Sequence, residues 1–143
     1  MIEVQTPHLR HLYDDWRSWR GERSFPARRD FDPVDIRYVL GKLSLVEVLQ
    51  QPLRFHYRVH ATLFAERLGF DLTGKTLDQL PDIDYRGIIL DHFLFVLERR
   101  MPSVLRRERR LADGRIWHYE VLVLPLAGDG ERIDMLMSAT EFL

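Results

Sequence analysis

The sequence predicts an α+β domain built on one five-stranded antiparallel sheet, and three observations carry that prediction. Two β-type runs lie before residue 60 and three lie after residue 102. Only helical signals separate the two groups. The chain also opens on an amphipathic helix that precedes all of the strands.

The opening helix starts at Thr6-Pro7, a capping residue followed by a proline whose missing N–H costs nothing at a first helical position. Leu9, Leu12, Tyr13, Trp16 and Trp19 follow at helical spacing, and Gly21 is a suitable stop. Residues 21–32 read as irregular. Asp32-Pro33 repeats the cap-plus-proline signal and opens a short helix ending near Gly41. Lys42–Leu49 (KLSLVEVL) is apolar enough for a central strand. Gln50-Gln51-Pro52 turns the chain. Leu53–Val59 then alternates, with Leu53, Phe55, Tyr57 and Val59 opposed to Arg54, His56 and Arg58, as a half-buried strand does.

Ala61–Leu68 is a short helix ended by Gly69, and Gly74 in DLTGKTL is expected at positive φ. Asp82 or Asp84 caps a longer helix over 85–100 with the stripe Tyr85, Ile88, Ile89, His92, Phe95 and Val96. Ser103–Leu111, Ile116–Leu124 and Ile133–Thr140 form a meander joined by Asp-Gly turns. The helices between the strands are expected to cover one face of the sheet. Residues 1–41 read as an N-terminal helical cap and linker, and 42–143 as the core.

Composition removes several functions. The 143 residues carry a formal net charge of -1, so no global field attracts nucleic acid or an anionic membrane. The segment DDWRSWRGERSFPARRDFDP therefore reads as helix and linker, with Trp16 and Trp19 as apolar anchors near arginines. There is no cysteine, which excludes disulfides, thiolate nucleophiles and cysteine metal sites. No signal peptide and no apolar run of about 20 residues is visible, so a cytoplasmic location is expected.

Six motifs resemble those of a known family in the right order. They are a W-R-S-x-R-G element at Trp16–Gly21, an L-P-x-R-x-D-I-D-P element at Phe25–Pro33 and F-R-Y-R-L-x-G-T at Phe55–Thr62. D-L-T-G-K/R-x-L follows at Asp71–Leu77, Y-E-x-L-L-L-P-L at Tyr119–Leu126 and V-D-M-L-x at Ile133–Met137. The chain is similar to the stand-alone PAS-like family common in alphaproteobacteria. It departs in having Trp19 before Arg20-Gly21, and His60-Ala61 where a glycine usually precedes the threonine. The resemblance implies a PAS fold and a sensing or interaction role. It leaves the cofactor unknown, since PAS domains bind haem, flavin, small metabolites or nothing.

The expected function is thus a non-enzymatic sensor or adaptor. Tyr57, Phe64, His92, Phe95, Val96, Trp117 and Tyr119 are the candidate ligand-binding residues between sheet and helices. No separate output domain fits in the remaining residues. Signalling is therefore expected through homodimerisation by the stripe Leu9, Leu12, Tyr13, Trp16 and Trp19, or through a partner protein. His92 has two active readings, a proximal haem ligand or a pH switch. A buried histidine hydrogen-bonded in the core fits its place better. His118 and Glu120 share a strand face and are the best available acid–base pair for a small enzyme, though no third group completes a metal site. Arg99, Arg100, Arg106, Arg107, Arg109 and Arg110 form a basic cluster. It is open to an anionic ligand or to pairing with Glu98, Glu108 and Asp113, and Arg107 and Arg109 form one row on the face of Leu105.

Overall fold

Leu9, Leu12 and Trp16 recur at the spacing that gives a helix one apolar stripe, and in the computed structural model, which describes residues 2–143, that stripe is wholly buried. Helix α1 spans Pro7–Arg20. It lies against the sheet of its own chain, and the Trp16 indole N–H donates to the Pro125 carbonyl at 2.8 Å. The segment after it is packed as well. Phe25, Ala27 and Phe31 are buried, and the Ala127 N–H donates to the Pro26 carbonyl at 2.8 Å. Trp19 stacks on Phe31 with ring centres 4.7 Å apart, while the Arg20 guanidinium lies over Trp16.

The sheet has five strands: β1 Leu43–Leu49, β2 Arg54–Val59, β3 Ser103–Arg110, β4 Ile116–Leu126 and β5 Met135–Phe142. All pairs are antiparallel in the order β2-β1-β5-β4-β3, so the two groups of the sequence meet where β1 pairs with β5. Pairing of Ser44 with Ser138 and of Val121 with Thr140 puts these residues on one face. Helices α2 (Thr62–Leu68) and α3 (Ile83–Arg99) cover that face. The opposite face, with Glu120, Leu122, Leu124 and Met137, receives α1. A 3-10 segment, Pro33–Lys42, leads from α1 into β1, and Asp32 accepts from the Val34 N–H at its start.

Several local expectations are altered by tertiary contacts. Thr6 is extended as a cap residue should be, yet its hydroxyl does not cap the helix. It donates to Glu120 Oε1 at 2.6 Å, a charge-assisted bond stronger than the local one it replaces. Asp82 is the cap of α3, accepting from the Tyr85 N–H at 3.0 Å. The turn at residues 71–76 does more than reverse the chain. The Gly74 N–H donates to the Tyr57 carbonyl and the Tyr57 N–H to the Lys75 carbonyl, which covers the free edge of β2. Gly74 has φ +78°, as expected for glycine there.

The stripe expected to hold two copies together is corrected by this packing. Leu9 and Leu12 are 0% exposed and Trp16 is 3% exposed, so they are core residues of one chain. Tyr13 and Trp19 are half-buried against the same core. Leu12→Ala should therefore lower unfolding free energy by about 2–5 kcal/mol in urea titration, as removal of a core leucine does. A change below about 1 kcal/mol would show that α1 does not pack as described.

Candidate ligand-binding site

Alternation along β4 places Tyr119 and Val121 on the face under α2 and α3, beside Ser138 and Thr140 of β5 and Ser44 of β1. Helix α3 presents Tyr85, Ile89, His92 and Phe93 to that face, and α2 presents Phe64. Between them is a cavity of about 30 Å³, lined by these residues with Tyr57, Ile88 and Arg107. It has room for about two waters. Phe64 lies 5.6 Å from Tyr85, and Phe93 lies 5.1 Å from Phe55, so aromatic rings fill most of the space between helices and sheet.

The lining is mixed in character. Ile88, Ile89, Phe64, Phe93 and Val121 are apolar, while hydroxyls come from Ser44, Tyr57, Tyr85, Tyr119, Ser138 and Thr140. Ser44 Oγ accepts from the Ala61 N–H at 2.8 Å. Burial pushes the Tyr57 phenol upward, and burial followed by its neighbour Tyr119 does the same to Tyr85. Both phenols are protonated at neutral pH and available as donors. Carboxylates are absent from the lining.

His92 is buried and shares a hydrogen bond of 3.0 Å between Nε2 and Ser103 Oγ. Burial, with Arg107 second, holds its imidazole down at about 4, against a smaller opposing effect of Ser103. It is a neutral core histidine at pH 7. His60, at the corner where β2 enters α2, accepts from the Leu72 N–H at 2.9 Å through Nδ1. Its ring is edge-on to Tyr57 and Phe64, which closes the corner where the chain departs from its motif.

The sequence profile of the PAS domain matches residues 4–139. The chain belongs to the PAS domain family. Among solved structures, this PAS domain resembles VqmA of Vibrio cholerae at TM-score 0.56 and 12% identity, over 79% of this chain and 52% of that one. It resembles a sensory box sensor histidine kinase of Vibrio cholerae at TM-score 0.53 and 16% identity, over 71% and 80%. The Rhodobacter sphaeroides LOV protein aligns at TM-score 0.52 and 13% identity, over 79% and 69%. At these identities the likeness is one of fold. No functionally curated protein matches the chain.

The expected pocket residues separate into three groups. Tyr57, Phe64, His92 and Tyr119 line the cavity. Trp117 and Val96 are buried beside it without lining it, Trp117 in an aromatic cluster with Tyr85 and Phe142 and Val96 in the main core. Phe95 is corrected outright: it is 45% exposed on the outer side of α3, with the Arg99 guanidinium over its ring. The inner row is Tyr85, Ile89, His92 and Val96, with Phe93 beside it, so Phe93 holds the place expected for Phe95. The alternation that made Tyr119 legible also applied to Ser138 and Thr140, but small hydroxyl residues gave no signal of their own.

Haem does not fit this site. Ligand pockets run to roughly 300–1,000 Å³, at least about ten times the space here, and the His92 Nε2 that would bind iron is bonded to Ser103. The acid–base pair also separates. Glu120 is 0% exposed and binds Thr6, Gln5 and Arg106 on the α1 face, while His118 is exposed with Glu108 at 3.8 Å.

The arginine cluster is paired differently from expectation. Arg106 pairs with Glu120, Arg109 with Asp82, and Arg100 approaches Glu131. Glu108 and Asp113 pair instead with His118 and Arg115. Arg107 has no carboxylate and no hydrogen-bond partner among the described residues.

The buried imidazole has a pH consequence. The unfolded chain takes up its proton near pH 6.5 and the native one only near 4. Stability is full above about 6.5 and declines as pH falls towards 4, by roughly 3 kcal/mol from this group. Urea midpoints between pH 7 and 4.5 should therefore fall less in His92→Gln than in the wild type. Parallel curves would show that His92 does not titrate as a buried group.

Proposed function

We propose that this protein is a non-enzymatic sensory PAS domain that takes a small molecule between α3 and the sheet and passes its presence to α1. The observation carrying this reading is the pairing of two adjacent residue couples across β3 and β4. Arg107 pairs with Tyr119 and both line the cavity. Arg106 pairs with Glu120, and these hold the start of α1 on the opposite face. A shift of either strand at the cavity moves the anchor of α1 directly, because neighbouring strand residues point to opposite faces. The fold supports the sensory class, and the lining supports a ligand with both apolar and hydrogen-bonding parts.

With α1 occupied by its own sheet, output runs through the exposed side of α1, or its release, to a second copy or a partner protein. The narrower likeness to alphaproteobacterial members rests on motif spacing, and a cytoplasmic location accords with it. Among the described residues no helix is long and apolar enough to cross a membrane.

Native mass spectrometry of protein from its own host should detect a bound small molecule. Adding that molecule should change amide exchange at Gln5 and Thr6 at least about threefold, with Glu120→Gln uncoupling the two. Unchanged exchange at these amides on full occupancy would remove the proposed route to α1.

A further inference from the structure

Arg107 stands out as the one arginine that lines the cavity. Arg109, its neighbour on the same strand face, is bound to Asp82 and lies over the Tyr85 ring. Arg106, on the reverse face, is bound to Glu120. Arg107 is half-buried, lines the cavity, and has no acidic partner among the described residues. It also lines the shallow outer groove along β3, as does Ile88 of α3. The cavity therefore opens between α3 and β3, with the guanidinium at its mouth.

The charge count in this space is one. His92 is the other basic side chain in the lining and is neutral at pH 7, and no Asp or Glu lines the cavity. Asp91 lines only the neighbouring outer groove that Arg107, His92 and Phe95 share. A half-buried guanidinium without an anion is an unfilled position, since its planar donors match a carboxylate in two parallel bonds. The same cavity is lined by the hydroxyl residues Tyr119, Ser138 and Thr140, which are donors suited to an anion. The space of about 30 Å³ limits what enters without moving α3 to a few heavy atoms.

We infer that the cavity recognises a short-chain monocarboxylate, whose carboxylate pairs with Arg107 and whose short alkyl end lies against Ile88, Ile89 and Val121. The inference rests on the sensory reading above and specifies its ligand class. One positive charge suits a monoanion better than sulfate, a dianion, or phosphate, which is about half dianion at pH 7, and the small space favours a planar carboxylate over either tetrahedral ion.

The test uses the full chain at pH 7 and constant ionic strength. Isothermal titration calorimetry and thermal melting compare acetate and propionate with acetamide and propionamide, and with sulfate and phosphate. Acetate and propionate should bind with affinities on the order of millimolar, as suits ligands of a few atoms. The amides should bind at least about tenfold more weakly, by loss of the charged pair. Arg107→Gln should abolish the difference while leaving the ligand-free melting temperature near that of the wild type, because Arg107 holds no partner. Arg110→Gln, an exposed change on the same strand, should bind as the wild type does. Ile88→Trp should block the mouth.

Equal binding of acid and amide, or an unaffected Arg107→Gln, overturns the carboxylate assignment while leaving a neutral ligand for the cavity. Sulfate or phosphate as effective as acetate reduces the site to a general anion contact and also overturns it. Undiminished acetate binding in Ile88→Trp places the anion outside the cavity. Absence of any binding by the acids removes the assignment as well. The sensory reading is then judged separately by amide exchange at Gln5 and Thr6 with the host-derived molecule.

Discussion

Glu120 is a carboxylate with no solvent exposure, on a sheet face where Leu122, Leu124, Leu126 and Met137 are buried beside it. A buried charge left unpaired costs several kcal/mol, so its partners are obligatory. Burial alone would push this carboxyl upward. The Thr6 hydroxyl, the Gln5 and Thr6 amides and Arg106 outweigh that and hold it below the ordinary glutamate range. The entry of α1 is thereby pinned to one place on β4. Leu9, Leu12 and Trp16 then fall on the sheet, and the outer face is sealed. Because β4 alternates, the same register turns Tyr119 towards the cavity. One ion cluster thus sets both the cap and one wall of the candidate site.

The two faces of the sheet are built from different materials. The core of the α1 face is mainly aliphatic, with Leu9, Leu12, Leu122, Leu124 and Met137 buried around the Glu120 cluster. The α3 face is aromatic and hydroxyl-bearing, with ring pairs at 5–7 Å separations that tile it without closing it. Rings pack as rigid plates, so small gaps persist between them where aliphatic chains would have filled in. The covering turn over β2 holds Tyr57 by both backbone groups, and Asp82 holds Tyr85 at the start of α3. The remaining cavity is therefore framed by fixed backbone, with Arg107 at the side facing solvent.

Much of this was legible in the linear pattern. Strand periods placed Tyr57 and Tyr119 on the covered face, and helical period placed Tyr85 and His92 with them. Phe95 was misplaced because hydrophobicity at helical spacing does not distinguish two neighbouring phenylalanines, and packing against Phe55 and Tyr57 selected Phe93. His118 and Glu120 looked like one pair because they share a face. Their environments diverge because the start of α1 covers only one of them. Arg107 was legible as part of a row and not as the unpaired member, since pairing depends on Asp82 arriving from 27 residues away in the chain.

By itself, the sequence determined the element order, the single antiparallel sheet and the residues of its covered face, because side-chain period and turn chemistry are local properties. Only the tertiary structure decided that α1 seals the chain's own sheet, that Glu120 is a structural anion, that the central space holds about 30 Å³, and that the arginine lining it has no acidic partner among the described residues. Those outcomes depend on which groups, far apart in the chain, compete for the same partner. Such competition is settled by desolvation and distance, which no stretch of sequence contains.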